Sequence, residues 1–279
     1  LPISLRRAIA ARGRATLLVP SFAQALDAQR ALAAAGGLSL GVTVTTPAAW
    51  AAERWEVWGD GRRLVDDVSR DVLCAHVLSR AGGLEAAVRD NPGTASLLAD
   101  LARAGMPWLM ARTATPEAVS DAEASVVALV DAYADQLDAC GLVEECSVMA
   151  ALPQALDGAG AQVDPLVLAG FDEMARAARE LVCDLAATHE VTFVARRDAG
   201  PASAEASRLA DELCALARAR GAQVVEGVAD SEPPADSEAS APARAPELSD
   251  VLERLFLPSE RLVEPTGALR LALPAGPSA

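Results

Sequence analysis

The sequence predicts an α/β protein with a doubly wound, mainly parallel sheet and a large all-helical insertion. Short apolar runs rich in β-branched residues alternate with helical periodicity in residues 1–65 and again in residues 161–228. Strands that alternate with helices are typical of parallel sheets covered on both faces. Residues 66–160 show helical periodicity without a strand pattern, and we assign them to the insertion.

In the first α/β part, helices and strands alternate at regular spacing. In chain order we expect the end of a helix over 3–12, a strand over 15–19, a helix over 22–34, a strand over 41–45 and a helix from Pro47. Gly36 and Gly37 are expected to end the second of these helices in a left-handed conformation.

The insertion and the second α/β part follow. Helices of the insertion are expected to be separated at Gly82-Gly83, Asn91-Pro92-Gly93, Met106-Pro107 and Thr115-Pro116, with no strand from Leu64 to about Ala155. The second part predicts a strand over 165–170, a helix over 175–187, a strand over 191–195, a helix over 204–220 and an edge strand over 223–227.

The remaining residues differ in composition. Residues 229–246 are rich in Pro, Ser, Ala and acids without a large apolar side chain, which predicts a flexible linker. Residues 247–279 are expected to start a following region, with a helix over 247–256 and a strand-like alternation over 268–273.

Charge and composition exclude several kinds of function. The net charge of −15 predicts weak affinity for nucleic acid, because binding to phosphates depends on basic residues. All 24 basic residues are arginine, so no phosphate-cradling or Schiff-base lysine is encoded here. No apolar run approaches the roughly 18–20 residues of a membrane span, and the first residues lack a signal-peptide pattern, which favours a cytoplasmic protein without a membrane partner.

The five cysteines are widely spaced and include no C-x-x-C pair. We interpret them as buried thiols in a reducing compartment rather than as disulfide or metal ligands. The two histidines, His76 and His189, belong to no recognisable motif and are interpreted as structural or exposed, although a Ser-His-Asp site can be neither built nor excluded from sequence.

A nucleotide site is not encoded in these residues. A phosphate-binding loop requires a glycine-rich turn between a strand and a helix, with a Lys and a Ser or Thr, and we find none, so no cofactor is expected in this segment. The glycines at 59 and 61 are interpreted as turns or caps. The helix over 3–12 lies where the helix after such a loop would lie, and a loop could therefore precede Leu1.

The acids Asp172 and Glu173 follow the strand PLVLAG and could suggest a Walker B element that holds Mg²⁺. In that element the acids directly end the strand, whereas Gly170 and Phe171 occupy those positions here. We therefore interpret Gly170 and Phe171 as a degenerate Walker B position, and Asp172 and Glu173 as solvated residues at a helix start.

Three tryptophans, Trp50, Trp55 and Trp58, follow the second strand at helical spacing. This spacing favours a buried stripe that packs against the helical insertion. The alternative is a platform on which unpaired bases stack.

Taken in order, four segments resemble the helicase-like N-terminal region of the AddB subunit of bacterial AddAB helicase-nucleases. They are LLVPSFAQALDAQRAL (17–32), LGVTVTTPAAWAAERWEVWGDGRRLV (40–65), YADQLDACGLVEE (133–145) and PLVLAGFDEMARAARELVCDLAATHEVTFVARRD (165–198). Compared with superfamily I helicases, VPSFAQA is similar to the motif after the first helix, VTVTTPAAW to the next single-strand-contacting motif, and PLVLAGF to a Walker B strand without its acids. The resemblance implies a P-loop helicase-like fold.

The resemblance also implies a function. Such a subunit accompanies a motor helicase-nuclease subunit (AddA-like) and helps to process broken DNA ends for recombination. The nuclease part of that family, with its iron–sulfur cluster, is absent from these residues, so neither is carried over. The residues implied to lie near a single-strand path are Ser21, Phe22, Gln24, Thr45, Thr46 and Trp50.

The leading hypothesis is a non-catalytic, helicase-like scaffold domain of a DNA double-strand-break end-processing complex, which could guide single-stranded DNA weakly. One alternative is an active ATPase or helicase whose phosphate loop lies upstream and whose Walker B acids are Asp172 and Glu173. Another is a small-molecule enzyme of doubly wound fold, with its ligand at the carboxyl ends of the strands.

Overall fold

The computed structural model describes residues 3–34, 41–82, 86–113, 121–195, 204–225 and 227. The helices are α1 Ile3–Arg12, α2 Phe22–Ala34, α3 Pro47–Trp58, α4 Asp67–Arg80, α5 Ala86–Arg89, α6 Pro92–Thr113, α7 Asp121–Ala139, α8 Glu145–Ala159, α9 Arg176–Leu185 and α10 Ala204–Ala219. The strands are β1 Ala15–Leu18, β2 Val42–Thr45, β3 Arg63–Leu64, β4 Leu142–Val143, β5 Leu166–Ala169 and β6 Val191–Val194.

Four strands form a parallel sheet in the order β2-β1-β5-β6. Strand β1 is central and pairs with β2 in the register Ala15 to Val42 and with β5 in the register Thr16 to Leu166. Strand β5 pairs with β6 in the register Leu166 to Val191. The predicted α/β class and the mainly parallel sheet are therefore confirmed.

Alternate residues of the strands enter two different apolar clusters. Leu18, Leu166 and Leu168 pack into a large cluster with helices α3, α4 and α6 to α10. Leu17 and Val167, one residue out of step, pack into a smaller cluster with α1 and α2. Because successive strand side chains point to opposite faces, this division means that helices cover both faces of the sheet.

A second, very short sheet that the sequence did not predict joins the end of the first α/β part to the helical insertion. Strands β3 and β4, of two residues each, pair in parallel, with Arg63 opposite Leu142 and Leu64 opposite Val143. The backbone N–H of Val65 extends the pair by donating to the carbonyl oxygen of Val143 at 3.0 Å. The expectation of no strand from Leu64 to about Ala155 is therefore wrong, because two residues are too few to produce an alternating pattern.

Two further expectations are wrong at the level of elements. Pro107 does not separate two helices but lies inside α6, which runs from Pro92 to Thr113. The edge strand expected over 223–227 is not formed at 223–225, where the backbone has no regular secondary structure. The expected features at Gly36-Gly37, Gly83 and Thr115-Pro116, the linker 229–246 and the region 247–279 lie outside the described residues.

Candidate binding site at the carboxyl edge of the sheet

The topology of the sheet singles out one place for a ligand. The chain moves outward from β1 to β2 on one side and from β5 to β6 on the other, so β1 and β5 flank the point where the strand order reverses. In open α/β sheets, ligands bind beyond the carboxyl ends of the strands at such a point. We call residues 20–24, 45–46 and 170–173, which follow β1, β2 and β5, the carboxyl edge.

Ser21 and Gln24 lie just after β1 and start helix α2. The Ser21 hydroxyl accepts a hydrogen bond from the Gln24 backbone N–H at 3.3 Å and donates to Gln24 Oε1 at 3.2 Å. The Ser21 carbonyl accepts from the N–H of Ala25 at 3.0 Å. These contacts satisfy backbone groups at the helix start, which is the usual role of a serine in this position. Both side chains are exposed, so they could also contact a ligand.

Thr45 and Thr46 follow β2 in the same way. Thr46 caps α3, since its Oγ1 accepts from the N–H of Ala49 at 3.2 Å and Pro47 occupies the first turn. Thr45 is half-buried at the end of the strand, where its carbonyl oxygen accepts from the N–H of Val19 at 3.0 Å. The Thr46 hydroxyl is therefore committed to the helix cap.

The end of β5 has the backbone shape of a turn. Gly170 adopts a φ of +79°, in the left-handed region that favours glycine. A Cβ there would lie 3.8 Å from Pro20 Cδ and 4.0 Å from Gln24 Nε2, an ordinary contact distance. Conformation rather than space therefore requires the glycine, and the ends of β1 and β5 approach each other across it.

Asp172 and Glu173 are displaced from the strand end. Phe171 is half-buried against the large apolar cluster, whereas both acids are exposed. They precede α9, which begins at Arg176 with Ala175 as its N-cap, and no acid lies in its first turn. The interpretation of Asp172 and Glu173 as helix-start residues is therefore wrong, although they are solvated as expected. Within the described part of the chain, they belong to no group of three or more residues that could hold a metal ion.

The two aromatic residues that the resemblance places near a DNA path lie in opposite environments. Phe22 is 74% exposed at the first position of α2, beside Ser21. Trp50 is 1% exposed and belongs to the large apolar cluster, with the Arg54 guanidinium 5.6 Å from its ring centroid. Of the two, only Phe22 presents a ring to solvent at the carboxyl edge.

Trp55 is also buried, as the stripe interpretation predicts, and its indole N–H donates to the carbonyl oxygen of Arg62 at 2.9 Å. Trp58 is 40% exposed, so the buried stripe is wrong for this residue. The stripe ends there because α3 itself ends at Trp58 and the chain turns at Gly59.

The carboxyl edge carries little positive charge. Its residues include two acids and no arginine. The arginine nearest in sequence, Arg176, lies over the Trp108 ring at 4.4 Å from the centroid and pairs with Glu180 at 2.8 Å. A guanidinium held in this way has less freedom to follow a phosphate chain, so any contact with nucleic acid at this edge relies on uncharged groups.

The most constrained polar group of the described residues lies elsewhere, in the helical part. Glu144, fully buried, accepts from Arg70 Nε at 2.9 Å, from Arg70 Nη2 at 3.0 Å and from the Tyr133 hydroxyl at 2.7 Å. Arg70 also pairs with Asp67, which binds Arg103 at 2.9 Å. These five residues, which we call the arginine-glutamate network, connect α4, α6 and α7 to the start of α8.

Electrostatics in this network follow from burial and pairing. The hydrogen bond to Glu144 raises the pKa of the Arg70 guanidinium, against the opposing effect of burial. Burial, and next the hydrogen bond to Glu144, raises the pKa of the Tyr133 phenol. Both groups therefore keep their protons at neutral pH. Both carboxylate oxygens of Glu144 accept hydrogen bonds, so Glu144 has a structural role. The sequence analysis did not single out this residue, because no pattern around it indicates a buried acid.

The thiols and imidazoles show no catalytic arrangement in the described ranges. Cys74, Cys146 and Cys183 are buried as expected, but Cys140 is exposed and Cys214 is partly exposed. His76 is exposed, and half-buried His189 has its Nδ1 2.8 Å from the Thr188 hydroxyl. No group of three or more His, Cys, Asp or Glu residues suited to a metal ion occurs there.

Fold and edge together define an α/β module with a parallel sheet covered by helices on both faces, in which Ser21 and Thr46 at the carboxyl edge cap helices. Neither a protein-family model nor a curated protein sequence matches the chain. None of the described helices is both long and apolar enough to span a membrane.

Proposed function

We propose that the chain is a non-catalytic, helicase-like scaffold domain of a DNA double-strand-break end-processing complex. In this proposal it resembles the N-terminal region of AddB, and an AddA-like motor subunit in the cytoplasm supplies ATP hydrolysis. The observation that carries the proposal is the end of β5, where Gly170 and Phe171 occupy the positions that catalytic acids would take.

The geometry of that strand end supports a binding role over an ATPase role. A Walker B acid must lie at the strand end to hold Mg²⁺ against the nucleotide phosphates. Asp172 and Glu173 instead lie in an exposed loop beyond a glycine of positive φ. Loss of such acids leaves the sheet intact, because apolar packing on both faces holds the strands.

A weak single-strand contact is supported by the exposed ring and polar groups of the edge. Phe22 offers a face on which a base could stack, and Ser21 and Gln24 offer neutral hydrogen-bonding groups beside it. With a net charge of −15 and no arginine at the edge, this contact is expected to be weak, and because it neutralises no phosphate, added salt should not weaken it strongly.

The test is a titration of the full chain with a fluorescent ATP analogue and Mg²⁺, and separately with labelled single-stranded DNA at low salt. We expect no submicromolar binding of the nucleotide and micromolar or weaker binding of DNA. Phe22→Ala should weaken DNA binding by about tenfold, since stacking on one base contributes roughly 1–3 kcal/mol. Val57→Ala, a matched change of an exposed apolar residue on α3, should leave it unchanged. Submicromolar ATP binding would contradict the non-catalytic assignment.

The docking role has its own test. DNA unwinding by an AddA-type motor is measured with and without the purified chain. A control confirms that the chain alone hydrolyses no ATP. Increased unwinding or processivity supports a scaffold, and an unchanged motor together with no co-elution contradicts it.

A further inference from the structure

A cleft of about 310 Å³ opens between the C-terminal end of α4 and the middle of α7, away from the carboxyl edge. Its floor is apolar and is formed by Val77 of α4 and Leu129 of α7. Val77 is only 5% exposed, so the floor is continuous with the protein core. The cleft exists because α7 presents Ala128 and Ala132 toward α4, and these side chains are too short to fill the space between two helices.

The mouth of the cleft is basic. Arg80 and His76 both line it, one helical turn apart, with Arg80 Nη1 3.2 Å from His76 Nε2. Because a guanidinium can only donate, His76 Nε2 is the acceptor in this contact. The remaining N–H groups of the Arg80 guanidinium are therefore the donor groups at the mouth.

Arg80 differs from most arginines of the helical part in its partners. Arg62, Arg70 and Arg103 each pair with a carboxylate, whereas within the described ranges no acid pairs with Arg80. None of the described residues that line the cleft is acidic, and none of them donates to or accepts from the Gln136 side-chain amide. Positive charge and amide hydrogen-bonding groups are thus uncommitted around an apolar floor.

The partial negative charge at the C-terminal end of α4 disfavours an anion in the cleft, but it offsets only part of the attraction by Arg80. A helix C-terminus carries about half a negative charge, against the full positive charge of a guanidinium. The acids of α7 closest in sequence, Asp131 and Asp135, are not among the lining residues. More distant charges are screened, since the Debye length is about 8 Å at physiological salt.

We infer that this cleft is a binding site for an amphiphilic carboxylate, with the anionic head at Arg80 and His76 and the apolar body on Val77 and Leu129. At about 310 Å³ the cleft lies at the small end of the ligand pockets found in proteins, which favours a medium-length acyl chain of about eight to ten carbons over a larger ligand.

Calorimetric titration of the full chain with decanoate, below its micelle concentration, tests the site. Decanol and decyltrimethylammonium carry the same apolar body with a neutral and a cationic head. We expect decanoate to bind at least tenfold more tightly than decanol, and the ammonium compound to bind most weakly. Equal binding of all three would overturn recognition of the head group.

Two pairs of variants locate the ligand. Arg80→Gln should weaken decanoate at least tenfold and leave decanol unchanged, whereas Arg63→Gln, at an exposed arginine outside the cleft, should change neither. Ala132→Leu fills the cleft and should weaken both ligands, whereas Ala124→Leu, on an exposed part of α7, should not. Shifts of the Val77 and Leu129 methyl resonances with decanoate give a readout in the unaltered chain. Decanoate affinity unchanged by both Arg80→Gln and Ala132→Leu would overturn the site.

Discussion

Glu144 is a fully buried acid whose partners, Arg70 and Tyr133, lie on two other helices. Its two oxygens receive three hydrogen bonds from Arg70 and Tyr133, and the Arg70 side chain is only 6% exposed. A buried charge left without its partner costs far more than the pair contributes, because desolvation is no longer offset.

We therefore predict that Glu144→Ala lowers the free energy of unfolding by about 3–5 kcal/mol. Tyr133→Phe removes one hydrogen bond and should cost about 1 kcal/mol. Asp67→Ala is the control, since the Asp67 side chain is 80% exposed and its pairs are screened by water, so its loss should cost below about 1 kcal/mol. Urea denaturation measures all three, and equal losses for Glu144→Ala and Asp67→Ala would contradict the role of burial.

The thiols provide a second prediction for single residues. Burial raises the pKa of Cys74 to about 12 and those of Cys146 and Cys183 to about 11, while Cys140 is exposed. Only the thiolate reacts with a disulfide reagent. At pH 8 in the folded chain we expect one fast reaction, at Cys140, a slower one at Cys214, and the other three only after unfolding. Cys140→Ser should abolish the fast phase, and a fast phase of two or more thiols would contradict the assignment.

At the scale of elements, the glycine in the turn after β5 differs in backbone conformation from a glycine within a helix. Gly170 has a φ of +79°, whereas Gly158 lies inside α8 with no atom within 4 Å of an added Cβ. We predict that Gly170→Ala destabilises the fold by about 1–2 kcal/mol because alanine is strained there. Gly158→Ala should stabilise it by up to about 0.5 kcal/mol, since Gly158 lies in the last turn of α8, where glycine costs less than in a helix interior. Thermal unfolding monitored by circular dichroism compares the two, and shifts of the same sign would refute the argument.

The longer elements could be predicted from sequence, and the shortest could not. Strands β1, β2, β5 and β6 have β-branched or apolar runs bounded by turn residues, and all four were predicted within one or two residues. Strands β3 and β4 have two residues each and depend on contacts between Arg63 and Leu142, which lie far apart in sequence. Pro107 was predicted to end a helix, yet α6 continues through it, because tertiary packing can offset the lost backbone hydrogen bond.

The candidate site was only partly predictable for the same reason. Ser21, Gln24 and Thr46 could be placed at strand ends from the strand pattern alone. That Phe22 faces solvent while Trp50 is buried depends on which helix face meets the sheet, a property of the assembled fold. One sequence signal could have indicated that Arg70 is buried and needs a partner. Arg70 lies at helical spacing with the apolar residues Cys74, Val77 and Leu78, on the face of α4 that packs into the core.

For the whole molecule, the sheet and the helical part share one large apolar cluster. Leu18 and Leu168 of the sheet belong to the same cluster as Tyr133 of α7 and Leu152 of α8. We therefore predict that the described α/β and helical parts unfold in one transition. Leu152→Ala should cost about 2–5 kcal/mol and shift the tryptophan-fluorescence and far-ultraviolet transitions equally. Two separated transitions would show that the parts are independent.

Alkaline pH should weaken the whole fold. Cys74, Cys146, Cys183 and Tyr133 all have a raised pKa in the folded chain, so the unfolded chain loses protons first as the pH rises. The thiols contribute their full stabilisation of the fold below the pKa of about 8.5 that they have in the unfolded chain. As the pH rises from there to the pKa values of the folded chain, this contribution falls by up to about 1.4 kcal/mol per group per pH unit. Urea midpoints from pH 7 to 10.5 check this, and a constant midpoint would contradict it.

Tyr133 turns the arginine-glutamate network into a built-in optical probe. It is the one tyrosine among 279 residues, so the ultraviolet absorption of ionised phenol in this chain comes from a single buried hydroxyl. A spectrophotometer can therefore follow the opening of the contact between α7 and Glu144 without a dye, an isotope or an engineered label.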